Sequence, residues 1–185
     1  AVLRTTHDGI PVIVENVTDY PFRDGYSIRI KTDSPVVFTL HLRIPSFAKS
    51  ATVNGERIEI PKDGWLRIRR KWRDEQTISV SFEFEPVLSS INEGLHFVRR
   101  GPLLYALPIG ERWERREYVK NGVERKYPYC DYEIFPTTSW NYGFAGSSFR
   151  FETYPIWDMP FQPDKQPVGL YADLAEIDWP YENGH

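Results

Sequence analysis

The side chains best suited to acid–base chemistry in this chain are its carboxylates. Glu83, Glu85, Asp131, Glu133, Asp158, Asp173, Glu176 and Asp178 are all candidates. Hydrolysis of a glycosidic bond needs two such groups facing each other across a cleft. Nothing in the spacing singles out a pair, and Glu83 and Glu85 alternate with apolar residues, as on a solvated strand face. A zinc site would need clustered His and Cys. His7, His41, His96 and the terminal His185 are scattered, with no His-x-x-x-His pair. Cys130 is the single cysteine, which excludes an internal disulfide and any multi-cysteine metal site. It reads better as a small hydrophobe than as a nucleophile. Asp173, Glu176 and Asp178 cluster without the spacing of a calcium loop. Gly-x-Ser-x-Gly and phosphate-cradling glycine loops are absent.

Aromatic residues are the other chemically suggestive group, at 15% of the chain. The six tryptophans are Trp65, Trp72, Trp113, Trp140, Trp157 and Trp179. For any one of them, burial is the simpler expectation. Trp140, Tyr142 and Trp157 fall in loop-rich sequence, however, where exposed rings could stack on a sugar. They are the candidate carbohydrate-binding residues; no catalytic or metal-binding residue is assigned.

The net charge of −3 gives no basic excess of the kind nucleic acid requires. Arg67, Arg69, Arg70, Lys71 and Arg73 interleave with apolar residues and read as a solvated strand face. No run of 18 or more apolar residues suggests a membrane span. Asn16-Val17-Thr18 is a glycosylation sequon, a triplet common by chance. The start, Ala1-Val2-Leu3-Arg4, lacks a signal-peptide pattern, and its abruptness leads us to expect a piece of a longer protein.

The elements that must position these groups are strands. In Thr77–Glu85 the residues Ile78, Val80, Phe82 and Phe84 alternate with Thr77, Ser79, Ser81, Glu83 and Glu85, one buried face against one wet face. Tyr26–Lys31 and Phe38–Ile44 alternate likewise, with His41 and Arg43 outward. Asn54-Gly55 and Asn121-Gly122 suit the positive φ angles of hairpin turns, and Asp63-Gly64 leads into another strand. The best helical stretch, Glu111 to Tyr118, is short and charged. The fold class is all-β, an antiparallel, jelly-roll-like sandwich or two small packed sandwiches. Residues 1–107 form the first unit. Residues 108–185, richer in Pro, Tyr and Trp, form a second β-rich unit with long loops or an elaboration of the first.

Several segments carry a family resemblance. Leu40-His41-Leu42-Arg43-Ile44-Pro45-Ser46-Phe47 resembles the "LRIPxW" segment of glycoside hydrolase family 127, the β-L-arabinofuranosidase-like family. Val53-Asn54-Gly55-Glu56 is similar to its "VNGE" hairpin, and Gly64 to Trp72 to its "GYxxIxRxW" run. Arg100 to Leu107 is similar to its "RGPLVYAxE" motif, and Trp140-Asn141-Tyr142-Gly143 resembles its "WNYxL" segment. The order holds across about residues 20 to 180. Phe47 in place of Trp, Asp74-Glu75-Gln76 in place of an Asp-Gly-Asp turn, and Leu107-Pro108 without an acidic residue mark a divergent member.

The resemblance implies that this is the C-terminal β-sandwich region of a bacterial glycoside hydrolase acting on arabinofuranose-containing or related glycans. It implies that the catalytic glutamate and a cysteine-ligated zinc belong to a preceding (α/α)6-barrel, the expected partner, so no cofactor is expected here. If the parent degrades plant glycans, it would be periplasmic or secreted. The expected role is then a non-catalytic accessory sandwich that packs against the barrel, leaving an apolar patch where the barrel would sit. Three other readings are a carbohydrate-binding module, a surface interaction sandwich and, least of all, a free-standing enzyme.

Overall fold

A computed structural model describes residues 1–91, 94–162 and 164–179. Their regular elements are all strands, and every pairing between strands is antiparallel. Among the described residues no helix is long and apolar enough to cross a membrane.

Residues 2–83 build one six-stranded sheet. Its strands are β1 (Val2–His7), β2 (Ile10–Val17), β3 (Gly25–Arg43), β4 (Ser50–Val53), β5 (Glu56–Ile58) and β6 (Trp65–Glu83), in the order β1-β2-β3-β6-β4-β5. Two hairpins close on two-residue turns with both central φ angles positive: Asp8-Gly9 (51° and 76°) and Asn54-Gly55 (50° and 84°). Such turns match the twist of the flanking strands. The β1–β2 hairpin was not anticipated, although Asp8-Gly9 carries its signal.

Alternation suggested separate short strands at 26–31 and 38–44, and at 65–69 and 77–85. The structure joins them into two 19-residue strands. Each is interrupted by a shift in register, where Asp33-Ser34-Pro35 stand opposite Arg73 alone. Asp74-Glu75-Gln76, read as a turn, pairs instead with Thr32, Lys31 and Ile30, and Asp74 absorbs the irregularity at φ 54°. Pro35 sits where no ladder donor is needed.

At this bulge the β3–β6 ribbon doubles back. The Tyr26 hydroxyl, near the start of β3, donates to the carbonyl of Arg43 at its end, 3.0 Å away. One sheet thereby supplies both layers of a sandwich. The core draws on both arms of the ribbon: Ile28, Ile30, Ile78, Val80 and Phe82 from one, Val36, Leu42 and Trp72 from the other. Trp72 is fully buried, stacks on Phe38 at 5.3 Å between centroids, and donates its indole N–H to the Phe38 carbonyl at 3.0 Å. The expected core face of Ile78, Val80, Phe82 and Phe84 is buried throughout. Arg70 differs from its basic neighbours. It shares the inward row with Ile68 and Trp72, half-buried, its guanidinium 4.2 Å from the Trp72 ring centroid.

The remaining strands form small sheets. β7 (Pro86–Ile91), β8 (Leu95–Arg100) and β9 (Leu103–Tyr105) make one of three strands. β10 (Glu111–Arg116) pairs with β13 (Asp131–Pro136), and β11 (Tyr118–Lys120) with β12 (Val123–Arg125) around Asn121-Gly122, both at positive φ. β14 (Tyr142–Thr153) pairs with β15 (Val168–Glu176). The best helical stretch in the sequence, Glu111 to Tyr118, thus holds no helix: Glu111–Arg116 is a strand and Tyr118 begins the next, with cross-strand pairs such as Trp113 with Ile134 and Arg112 with Phe135. Strand partners change between Glu83 and Pro86 and again after Tyr105; the division expected from composition was at Leu107.

Arg100 links the first sheet to the rest. Its guanidinium grips the Asp24 carboxylate with both terminal nitrogens, one at 2.9 Å, and lies 3.7 Å from the Phe151 ring centroid. Gly101, at φ 57°, brings the backbone so close to Phe84 that a Cβ would lie 2.8 Å from the ring. Arg23 adds a second link by donating to the Tyr154 carbonyl at 2.7 Å. Arg100 and Gly101 of the Arg-Gly-Pro segment thus hold the first sheet to the strands that follow.

Candidate functional site

Of the candidate sugar-binding residues, Trp140 lines a groove that Tyr142 and Trp157 do not border. The groove has a volume of about 440 Å³ and is lined by Ile109, Gly110, Glu111, Ile134, Pro136, Trp140 and Trp179. Two loops place it. Gly110 and the Thr137-Thr138 turn are clasped by Gly110 N–H to the Thr138 hydroxyl (2.9 Å) and Thr137 N–H to the Gly110 carbonyl (2.7 Å). Asn141 fixes the other wall. Its side-chain amide donates to the Ile177 carbonyl at 2.8 Å, and its own carbonyl accepts from Ile177 N–H at 2.9 Å. This double clamp brings Trp179 edge-on to Trp140, with ring centroids 5.4 Å apart. Trp179 and Glu111 were not singled out as site residues, because nothing local joins 111, 140 and 179. The linking signal is the Asn141 clamp, a tertiary contact.

Tyr142 begins β14 opposite Glu176 and does not line the groove. Trp157 lies on the connection between β14 and β15, exposed, with the Lys165 ammonium 5.2 Å from its ring centroid. That groove therefore gathers Trp140 but neither Tyr142 nor Trp157. An aromatic wall beside one carboxylate and apolar flanks can stack on a sugar ring and accept its hydroxyls.

Four of the candidate carboxylates, Glu83, Glu85, Asp131 and Glu133, are engaged by neighbouring side chains. Glu83 accepts from the Ser50 hydroxyl at 2.7 Å, and both Glu83 and Glu85 pair with Lys49. The Ser50 hydrogen bond, with the Lys49 charge adding to it, holds the Glu83 carboxyl below its usual range. A general acid needs the opposite shift. Glu133 pairs with Arg116, and Asp131 accepts from the Tyr118 hydroxyl. Asp173 and Glu176 project from opposite faces of β15, so the acidic run cannot converge. Among the described residues no three His, Cys, Asp or Glu side chains gather as a metal site would require. A cysteine-ligated zinc does not fit this chain, since Cys130 is its one cysteine and lies half-buried beside Tyr132. His41 is exposed beside Trp65, and His185 falls outside the described residues. The Thr18 hydroxyl of the sequon closes a local turn, accepting from Tyr20 N–H and donating to the Gly25 carbonyl.

Residues 2–84 match a family model described as the GH127 beta-L-arabinofuranosidase middle domain. The match covers the six-stranded sheet and ends where strand partners change. Among solved structures, the chain is similar to a GH127 beta-L-arabinofuranosidase from Geobacillus stearothermophilus T6, at 20% identity and a TM-score of 0.49. That similarity covers 95% of this chain and 29% of the other. A GH127 beta-arabinofuranosidase aligns at 17% identity and TM-score 0.45 over 94% of this chain and 29% of its own. A further glycoside hydrolase aligns at 16% and 0.45, over 66% and 25%. The chain thus spans less than a third of each of these structures, and likeness at this level assigns no residue a role. No curated protein matches the sequence.

Proposed function

We propose that this chain is a non-catalytic accessory β region of a glycoside hydrolase acting on arabinofuranose-containing or related glycans, packed against and supporting an (α/α)6-barrel catalytic domain. The observation that carries the reading is the match of residues 2–84 to a GH127 middle domain. In this reading that domain is followed by a C-terminal unit from Pro86 onward, and the parent is a bacterial protein that meets plant glycans outside the cytoplasm.

The test starts from the complete reading frame. It should encode a helical domain of several hundred residues, and that domain expressed separately should form a complex with this chain. Release of arabinose from aryl arabinofuranosides by the purified chain alone would overturn the reading, as would a reading frame without such a domain.

The groove at Trp140 favours a second reading, a carbohydrate-binding module. Saturable binding of arabino-oligosaccharides, abolished by Trp140→Ala and unchanged by Trp157→Ala, would establish it. The reverse pattern would move the site to the exposed loop.

A further inference from the structure

The far half of the β3–β6 ribbon turns a row of β6 side chains outward: Trp65, Arg67, Arg69, Lys71 and Arg73, all exposed. Alternate positions on a strand are about 6.8 Å apart, so the four cations span roughly 20 Å in a line. The facing row on β3 is His41, Thr39 and Val37, opposite Arg67, Arg69 and Lys71 in turn, and it brings no carboxylate. On its other side β6 meets β4 from Val80 to Glu83, well away from this row.

Elsewhere on the sheet, Arg29 holds Glu15 and Glu75, and Lys49 holds Glu83 and Glu85. Within the row Arg67 reaches Asp63 at 2.7 Å, whereas Arg69, Lys71 and Arg73 have no ion-pair partner among the described residues. Trp65 ends the row, 41% exposed, with the Arg43 guanidinium 5.5 Å from its ring centroid and the His41 ring tilted beside it at 6.5 Å.

On a chain of net charge −3, three unmatched cations in line are charge gathered in one place. Guanidinium groups so arranged suit carboxylates, which accept two parallel N–H bonds from each fork. Cations at an open edge also keep it from pairing with other strands, but that role gives Trp65 no part. Nucleic acid is a poorer match. Duplex DNA carries a charge about every 1.7 Å, and a chain of pI about 5.9 repels so dense a polyanion overall. A polysaccharide with one carboxylate on each acidic sugar is sparser in charge, and its rings offer Trp65 an apolar face to stack on.

We propose that this row is a binding surface for an acidic polysaccharide, with Arg69, Lys71 and Arg73 on its uronate carboxylates and Trp65 on a sugar ring at the end of the row. The surface shares no residue with the groove at Trp140, and the inference does not rest on the accessory role.

Calorimetric titration of the whole chain with polygalacturonate oligosaccharides in about 20 mM salt should show saturable binding that is largely lost by about 0.5 M. Methyl-esterified oligosaccharides of the same length lack the charge and should bind about tenfold more weakly or not at all. Arg69→Glu combined with Lys71→Glu should weaken binding about tenfold or more, with an unchanged far-ultraviolet circular dichroism spectrum. Trp65→Ala should weaken binding without changing its salt dependence. Absence of binding at low salt overturns the inference. So does binding indifferent to the paired substitution or to Trp65→Ala, equal affinity for the esterified oligosaccharides, or tighter binding of oligothymidylate or of phosphatidylserine vesicles.

Discussion

Arg100 shows how much one side chain can carry when its partners come from separate parts of the fold. Its side chain is only 11% exposed, and Asp24 and Phe151 meet on it from separate parts of the sequence. Removing one partner of a largely buried pair strands the other charge. Arg100→Ala is expected to lower stability by about 3 kcal/mol, measured by urea denaturation, and Arg100→Lys should recover little because a single ammonium cannot replace the fork. Tyr26 gives a pH-dependent counterpart. Burial pushes its hydroxyl up to about 12 from an ordinary 10, and the neutral hydroxyl is the donor that ties the two ends of β3. The folded state therefore keeps the proton after the unfolded state would lose it. Stability from this group is complete below pH 10 and is lost as pH rises from 10 through 12. Allowing for the part-exposed ring, the loss is about 1–2 kcal/mol, and Tyr26→Phe should flatten that portion of a stability–pH curve.

At the scale of elements, the β3–β6 ribbon and its bulge decide the fold. Trp72 lies just past the bulge, where its ring fills the space between layers and its N–H is satisfied. Trp72→Ala is expected to cost about 3–5 kcal/mol, and a calorimetric midpoint unchanged by the substitution would contradict this account of the core. Period-2 alternation made nearly every strand of this ribbon legible, because the inward and outward rows differ so clearly in chemistry. Continuity was not legible. Asp33-Ser34-Pro35 and Asp74 look like turn residues, and whether such residues turn the chain or bulge it depends on a strand forty residues away. Arg70 was hidden for a related reason: a stacked guanidinium occupies an inward position that its residue type disguises. For Glu111 to Arg116, helix-favouring residues were overridden by aromatic cross-strand partners.

At the scale of the whole molecule, the two regions differ in how much they bury. The first sheet holds most of the buried hydrophobic residues, whereas Val98, Pro167 and Val168 are the buried apolar residues described after Phe84. Composition showed that difference in texture, and part of the aromatic abundance that suggested sugar stacking is exposed surface of the second region, as at Trp113, Trp157 and Trp179. Which tryptophans meet could not be read, since Trp140 and Trp179 are joined only through Asn141 and Ile177. A compact chain of this length would have a radius of gyration near 16 Å. X-ray scattering from the chain at a concentration where it is monomeric should give a clearly larger value, and a value at or below 16 Å would mean that the β10–β13 pair folds onto the first sheet.

The bulge opposite Arg73 has a consequence for how the chain finds its fold. Sixteen residue pairs join β3 to β6, separated in sequence by a connection that runs from Ile44 to Gly64. Zipping from that closed end meets a three-against-one mismatch partway along, and only one alignment lets both stretches face their apolar rows inward. The mismatch acts as a proofreading step: a ribbon slipped by one residue stalls at the bulge before β2 and β4 can dock on its far half. The pairs from Val36–Trp72 to Arg43–Trp65 should accordingly form early and the β1–β2 hairpin late, an order that rate measurements on Leu42→Ala and Val12→Ala would reveal.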